Sequence, residues 1–198
     1  MTESVRMDVI DAIHKRRALR KFDSRPIEAE KVASLVEAMR LAPSCNNYQP
    51  WRVVVCQETE SLIKAKSALS KGNAYATKAP LIFVVSAKID EDCHGLSDGR
   101  DYYLFGCGLA VGQMMLRAAE MGLIAHPIGG YDPLTLKKEL GIPSEYVAIT
   151  MVNIGYPGDD DSLLSEKQKV SELTRPERKP VGENFFDGAW GKPLNLQI

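Results

Sequence analysis

The stretch from Asp101 to Met121 constrains this chain most. It is the longest helical pattern in the sequence, and its apolar residues run nearly all the way round. Leu104, Phe105, Leu109, Val111, Met114, Met115 and Leu116 do not share one narrow stripe, so the helix they form is expected to be buried on most sides. Gly122 terminates it. Whatever this chain folds into has to build layers around that helix.

The other elements supply those layers. Met7 to Arg16 reads as a helix with a short apolar stripe of Val9, Ile10 and Ile13. A second helix runs from about Glu28 to Leu41, with Val32, Leu35, Val36 and Met39 at helical spacing, and Pro43 stops it. Ser61 to Leu69 is a third. Arg52–Cys56, Leu81–Val85, Ile124–Ile128 and Tyr146–Ile154 are apolar, β-branched runs of the kind that form buried strands. Asp132-Pro133 reads as an N-cap with proline at the first helical position, and Gly141 closes that helix. Ile89 to Gly99 is a polar loop. Helices and strands alternate without strict βαβ order, so the expected class is α+β in one domain, 1–198. From about residue 157 the character changes. Pro157, Pro176, Pro180 and Pro193 interrupt a segment of little periodicity that still carries Leu163, Leu164, Phe185, Phe186 and Trp190. Such an arm is expected to pack on its own domain or on a second subunit.

Composition excludes several classes. A chain of 198 residues with a formal net charge of −1 has no broad basic surface for nucleic acid. No run is apolar enough to span a membrane, and Met1-Thr2-Glu3-Ser4 lacks the apolar core of a signal peptide, so a reduced cytoplasm is the expected setting. Cys45, Cys56, Cys93 and Cys107 form no CxxC pair and no metal-finger spacing with His14, His94 or His126, and a disulfide framework is not expected in a chain of this length. Cys56 and Cys107 lie in apolar runs and read as inert core residues.

Two segments carry chemistry. In Lys15-Arg16-Arg17-Ala18-Leu19-Arg20-Lys21, three guanidinium groups fall within five residues. Guanidinium binds phosphate through paired, charge-assisted hydrogen bonds, although a solvated helix end would also collect cations. In Ala42-Pro43-Ser44-Cys45-Asn46-Asn47-Tyr48-Gln49-Pro50-Trp51, short polar side chains and free backbone donors follow a helix and lead into a strand. Together they suit a planar ligand that carries a phosphate.

These motifs resemble those of the FMN-dependent nitroreductase family. The family has a basic start followed by a Pro-Ser turn with Asn, Gln, Pro and Trp, which Pro43, Ser44, Asn47, Gln49, Pro50 and Trp51 match. Cys45 stands where Ser is frequent. Pro127-Ile128-Gly129-Gly130-Tyr131-Asp132 resembles the family turn whose amides approach the flavin ring, Asn73 falls where an Asn binds the ring edge, and Arg175 or Arg178 resembles the C-terminal basic motif that returns to the phosphate. The resemblance implies a nitroreductase-like α+β fold: a central, mostly antiparallel mixed sheet flanked by helices, in a homodimer whose C-terminal extension packs on the partner. It implies non-covalent FMN and NAD(P)H as a transient electron donor to a small-molecule acceptor, with no partner nucleic acid or membrane. The chemistry would be carried by the flavin, with no metal and no catalytic side chain. Arg16, Arg17, Ala18, Arg20, Pro43, Ser44, Cys45, Asn47, Asn73, Pro127, Ile128, Gly129, Gly130, Arg175 and Arg178 would bind the cofactor, the Pro43–Asn47 turn from the other subunit. Arg20 would lie near the pyrimidine edge.

The sequence departs from the family at two positions. Ala18 replaces a Ser, and Gly129 replaces a Glu beside the flavin, which would open the site. These departures leave a second reading: a flavin-binding protein of the same fold that is a carrier, a sensor or a flavin-fragmenting relative. Other patterns weigh less. Gly106 to Gly112 hints at a dinucleotide fingerprint but lies inside a helix, where small residues serve close packing. Cys93-His94 sits in the polar loop, and adjacent side chains point apart. Cys45, past a helix and near arginines, could hold an activated thiol, but a Ser substitute in the flavin turn explains it better.

Overall fold

The computed structural model describes residues 7–196; the Met1–Ser4 segment lies outside them. The order is α1 (Val9–Lys15), β1 (Phe22–Asp23), α2 (Ala29–Arg40), β2 (Arg52–Cys56), α3 (Thr59–Ser67), β3 (Leu81–Ala87), α4 (Tyr103–Glu120), β4 (Ile124–Ile128), α5 (Pro133–Leu140), β5 (Val147–Pro157), α6 (Glu166–Leu173) and α7 (Val181–Asn184). Short 3-10 turns occupy Cys45–Asn47, Lys71–Lys78 and Ile89–Glu91.

The strands make one five-stranded sheet in the order β1-β5-β3-β2, with β4 on β5. Every pairing among the described strands is antiparallel. All seven residues of β3 are buried because both faces of the sheet are covered. Side chains alternate between the faces with a period of two. Leu81, Phe83 and Val85 of β3, with Val152 and Ile154 of β5, pack under α2 and α4. Ile82 and Val84, with Met151, pack under α3 and α5. The result is an α+β fold of three layers. No helix among the described residues is long and apolar enough to cross a membrane.

α5 follows its sequence signals closely. Asp132 Oδ1 accepts from the amides of Leu134 and Thr135, and Gly141 ends the helix at φ +67°.

Among the helices, one expectation needs correction. α4 is not enclosed on most sides. Tyr103, Gly106, Cys107, Ala110, Val111, Met114 and Ala118 face the core, but Leu104, Phe105, Gly108 and Gly112 lie on an open face. The helix is apolar nearly all round although one chain covers only part of it. The stripe of α1 is likewise exposed, with only Ala12 buried. The tail divides in two. Leu164 enters the core and α6 docks on the chain's own N-terminal segment, whereas Trp190 is 92% exposed at the tip of a turn where Phe186 stacks on it at 4.8 Å.

Candidate functional site

The residues that follow α1 and those that follow α6 hold each other by exchange. A helix leaves its last carbonyls without partners. Arg17 Nη2 donates to Ser171 O and Thr174 O at the end of α6, each at 2.9 Å. Arg175 Nη2 donates in return to His14 O at the end of α1, at 2.7 Å, and to Arg16 O. Each arginine therefore caps the other segment's helix, where a cation also complements the negative end of the dipole.

α6 itself is set by a capping box between Ser165 and Gln168, and it carries Glu172 to the start of the molecule. The carboxylate of Glu172, nearly buried, accepts from Arg20 N at 3.1 Å and Lys21 N at 3.4 Å, and it pairs with Arg20 Nη1 at 3.3 Å. Gln168 Nε2 donates to Gly72 O, tying the same helix to the segment before β3.

This interlock leaves a cavity of about 200 Å³ lined by Arg16, Arg17, Ala18, Leu19, Arg20, Arg175 and Arg178, together with Ser171 and Pro176 of the tail. Among the described residues no carboxylate pairs with Arg16, Arg17, Arg175 or Arg178, and the side chains of Arg16 and Arg178 donate to no protein acceptor. Burial, and then the charges of Arg175 and Arg178, lower the pKa of Arg16 from its ordinary value. Crowded, partly desolvated guanidinium groups without counter-charges make a site for a multivalent anion. A larger cleft, of about 360 Å³, lies beside Arg52, Ser86 and Tyr146, but there Arg52 is already neutralised by Glu91 at 2.8 Å.

A chain of contacts leads from the cavity to the glycine turn. Arg20 lies over the ring of Tyr75, 5.7 Å from its centroid, and Tyr75 Oη donates to Asn73 Oδ1 at 2.9 Å. Asn73 Nδ2 in turn donates to Gly130 O at 2.8 Å. A Cβ on Gly130 would come within 2.3 Å of that amide nitrogen, so only glycine allows this approach. A Cβ on Gly129 would meet nothing within 4 Å, which leaves open space above the turn. Pro127 and Ile128 close β4 just before it. The structure thus gathers Arg16, Arg17, Ala18, Arg20, Arg175 and Arg178 at one cavity and links Asn73 and Gly130 to it.

Pro43, Ser44, Cys45 and Asn47 stand apart from that group. Their turn is closed locally, with Ser44 Oγ accepting from Gln49 N at 2.9 Å. Asn46, Asn47 and Gln49 hold φ of +46°, +60° and +51°. Cys45 is not a free thiol in place of a serine: it forms a disulfide with Cys93, with Cα atoms 6.2 Å apart. The sequence offered no spacing rule for this pair, since 48 residues separate its members and only the fold joins them. Cys56 and Cys107 are free and buried, as expected, and burial pushes their thiols up to about 11 and about 12.

Sequence reasoning missed Glu172, Tyr75 and His126. The buried His126 faces Leu19 O through Nδ1 at 3.0 Å and stacks near Tyr75. Glu172 sits three residues before a basic motif that the sequence did reveal, but nothing local marks its partner.

A fold of this kind, with paired basic segments and a glycine turn, has counterparts. The model of the nitroreductase family matches residues 13–88 and 64–156, and the chain belongs to that family. It is similar to the protein named FMN reductase (NAD(P)H) of Bacillus subtilis (strain 168), with 28% identity over 167 residues covering 77% of this chain and 67% of that one. It is also 27% identical over 193 residues to 5,6-dimethylbenzimidazole synthase of Rhodospirillum rubrum, covering 85% and 92%. The crystal structure of a nitroreductase family protein from Clostridium difficile 630 superposes with a TM-score of 0.76 at 26% identity, over 92% of this chain and 99% of that one.

Proposed function

We infer that this chain is an FMN-dependent oxidoreductase that passes a hydride from NAD(P)H, by way of FMN, to a nitroaromatic, quinone or related small acceptor in a ping-pong exchange. The observation that carries this reading is the cavity lined by Arg16 and Arg178, whose guanidinium groups find no protein acceptor among the described residues. A phosphate monoester supplies the charge that those groups lack, so the residues present fit the phosphate end of FMN. Arg16 and Arg178 hold the phosphate, while Arg17 and Arg175 fix the walls around it. Arg20, set by Glu172 and Tyr75, carries positive charge from the cavity toward the Gly129-Gly130 turn. When bound, FMN supplies the atom that takes up and returns the hydride. The protein contributes binding, orientation and charge, and the open space over Gly129 admits the two substrates in turn.

The working unit in this reading is a homodimer. The open face of α4, the exposed Val9, Ile10 and Ile13 of α1, and the tail tip at Trp190 form apolar surface that one chain leaves uncovered. The Pro43–Asn47 turn, which no described hydrogen bond joins to the arginine cavity, serves the site of the second copy. A monomer in sedimentation at micromolar concentration removes this part.

The test is an anaerobic titration of FMN-loaded protein with NADH and with NADPH, followed by flavin absorbance. Bleaching by either is the expected result. Flavin that binds but is reduced by neither favours the second reading, a non-reductase flavin protein, which draws on Gly129, Ala18 and the similarity to a 5,6-dimethylbenzimidazole synthase. Protein that binds no FMN ends both.

A further inference from the structure

We propose that Cys45 and Cys93 are a reversible thiol–disulfide pair that fixes the Pro43–Asn47 turn, so that the redox state of the surrounding thiol pool sets how well this turn serves the cofactor site. The second half of the proposal rests on the flavin reading above; the first half does not.

The placement of the bond is unlike that of a structural staple. Disulfides stabilise small domains whose cores are insufficient, but here two large apolar clusters flank the sheet and neither cysteine belongs to them. Both cysteines lie in surface loops and are half-buried. The other two cysteines are buried, with thiols pushed up to about 11 and about 12. The chain thus keeps two inert thiols and one half-buried pair.

The bond also acts where the backbone needs support. Three non-glycine residues at positive φ follow Cys45 within four positions, a conformation that persists only when its surroundings hold it. The hydrogen bonds of the turn are nearly all internal: Asn47 N to Ser44 O, Tyr48 N to Cys45 O, Gln49 N to Ser44 Oγ and Gln49 Nε2 to Asn47 O. Beyond the turn, the described contacts of residues 44–47 are the disulfide and a weak one from Asn46 Nδ2 to Cys93 Sγ at 3.9 Å. Cys93 is in turn well placed, because its amide donates to Oδ1 of the buried Asp92 at 2.8 Å. The other carboxylate oxygen of Asp92 has no hydrogen-bond partner and lies near Gly106 at the start of α4. A carboxylate oxygen of Asp92 lies within 4.8 Å of both sulfurs.

The reaction is ordinary exchange with a low-molecular-weight disulfide. One protein thiolate attacks a sulfur of the small disulfide and releases one small thiol. The second protein thiolate then attacks the mixed disulfide and releases the other. The protein loses two electrons and two protons, and the small disulfide gains them as two thiols.

The test has two readouts on the full-length protein. Alkylation under denaturing conditions, with and without prior reduction, is read by mass; peptide mapping locates the labels. The expected result is labelling of Cys56 and Cys107 alone before reduction and of all four after it, with a midpoint in glutathione buffers. Four labelled thiols in protein equilibrated with oxidised glutathione overturns the pair, as does a stoichiometric zinc ion retained by the reduced protein on Cys45 and Cys93. The second readout is the FMN dissociation constant by flavin fluorescence. Reduction is expected to weaken it roughly five- to twentyfold, Cys93→Ser to match the reduced protein, and reductant to leave Cys93→Ser unchanged. The midpoint of thermal unfolding should fall with reduction by roughly 10 °C. Equal FMN affinity in both redox states overturns the control of the site. FMN binding in neither state overturns the flavin reading itself, while the thiol count still decides the pair.

Discussion

The arginine cavity and the Pro43–Asn47 turn are assembled in opposite ways. The cavity is complete within one chain: two helix ends exchange arginine caps, and Glu172 secures the backbone of Arg20 and Lys21 from more than a hundred residues away. The turn makes its hydrogen bonds mostly within itself, and beyond its flanking residues it reaches the rest of the molecule through the Cys45–Cys93 bond and a weak contact from Asn46 to Cys93. The difference shows where order originates. The cavity is held by many polar contacts that share the load, whereas the turn depends chiefly on its link to Cys93.

The largest effect that could break this contrast comes from Glu172. Glu172→Ala leaves the amides of Arg20 and Lys21 without their acceptor and the Arg20 guanidinium with only Ser171 Oγ, at a cost of about 3 kcal/mol. Urea unfolding should show this loss together with weaker FMN binding; an unchanged midpoint means that the interlock is not cooperative. Arg16→Ala should next weaken FMN by roughly 1.5–3 kcal/mol, the size of a charge-assisted hydrogen bond, with little change in unfolding. Unchanged affinity by fluorescence titration removes Arg16 from the site.

Gly108→Leu sharpens the other side. A side chain at Gly108 meets nothing within 4 Å in one chain, and leucine favours a helix over glycine. The folded single chain should therefore tolerate it, while the dimer weakens at least tenfold, about 1.4 kcal/mol, in sedimentation equilibrium. A dimer of wild-type strength places the interface elsewhere.

The smallest expected effect concerns pH. Burial lowers the imidazole pKa of His126, the bond to Leu19 O opposes this, and the Arg20 charge adds to it. The unfolded chain then takes up a proton that the folded one refuses. Stability is complete above the ordinary histidine value of about 6.5 and declines as pH falls from there toward the folded value, by at most about 1.4 kcal/mol per pH unit. The melting temperature of wild type should drop between pH 7.5 and 5.5 more than that of His126→Gln; parallel curves would remove His126 as the cause.

How much the sequence disclosed follows from the range of each interaction. Arg52–Cys56 and Ile124–Ile128 match their strands to the residue, because β-branched and apolar residues dominate both, although β2 lies at the sheet edge and only its Cys56 is buried, contrary to the expected buried strand. The Asp132 cap and the Gly141 stop are equally local. β1 is two residues long and leaves no period to read. α6 was missed because it has no fully buried residue: polar bonds to distant partners hold it, not an apolar stripe. At the candidate site, the basic segments and the glycine turn stood out by composition. The division of labour among the arginines did not, since it depends on which guanidinium finds a helix end. The open faces of α1 and α4 misled for a related reason. Periodicity reports that a side chain avoids water without saying which molecule provides the cover.

The cavity unites residues 16–20 with residues 175–178, the latter held in place by α6. During synthesis the sheet, α4 and the glycine turn all emerge before the last wall of that cavity exists. A ribosome-bound chain can bury most of its core and still lack half of its anion-binding charge. In the flavin reading, a chain cut before Arg175 is expected to keep the sheet and to bind FMN poorly.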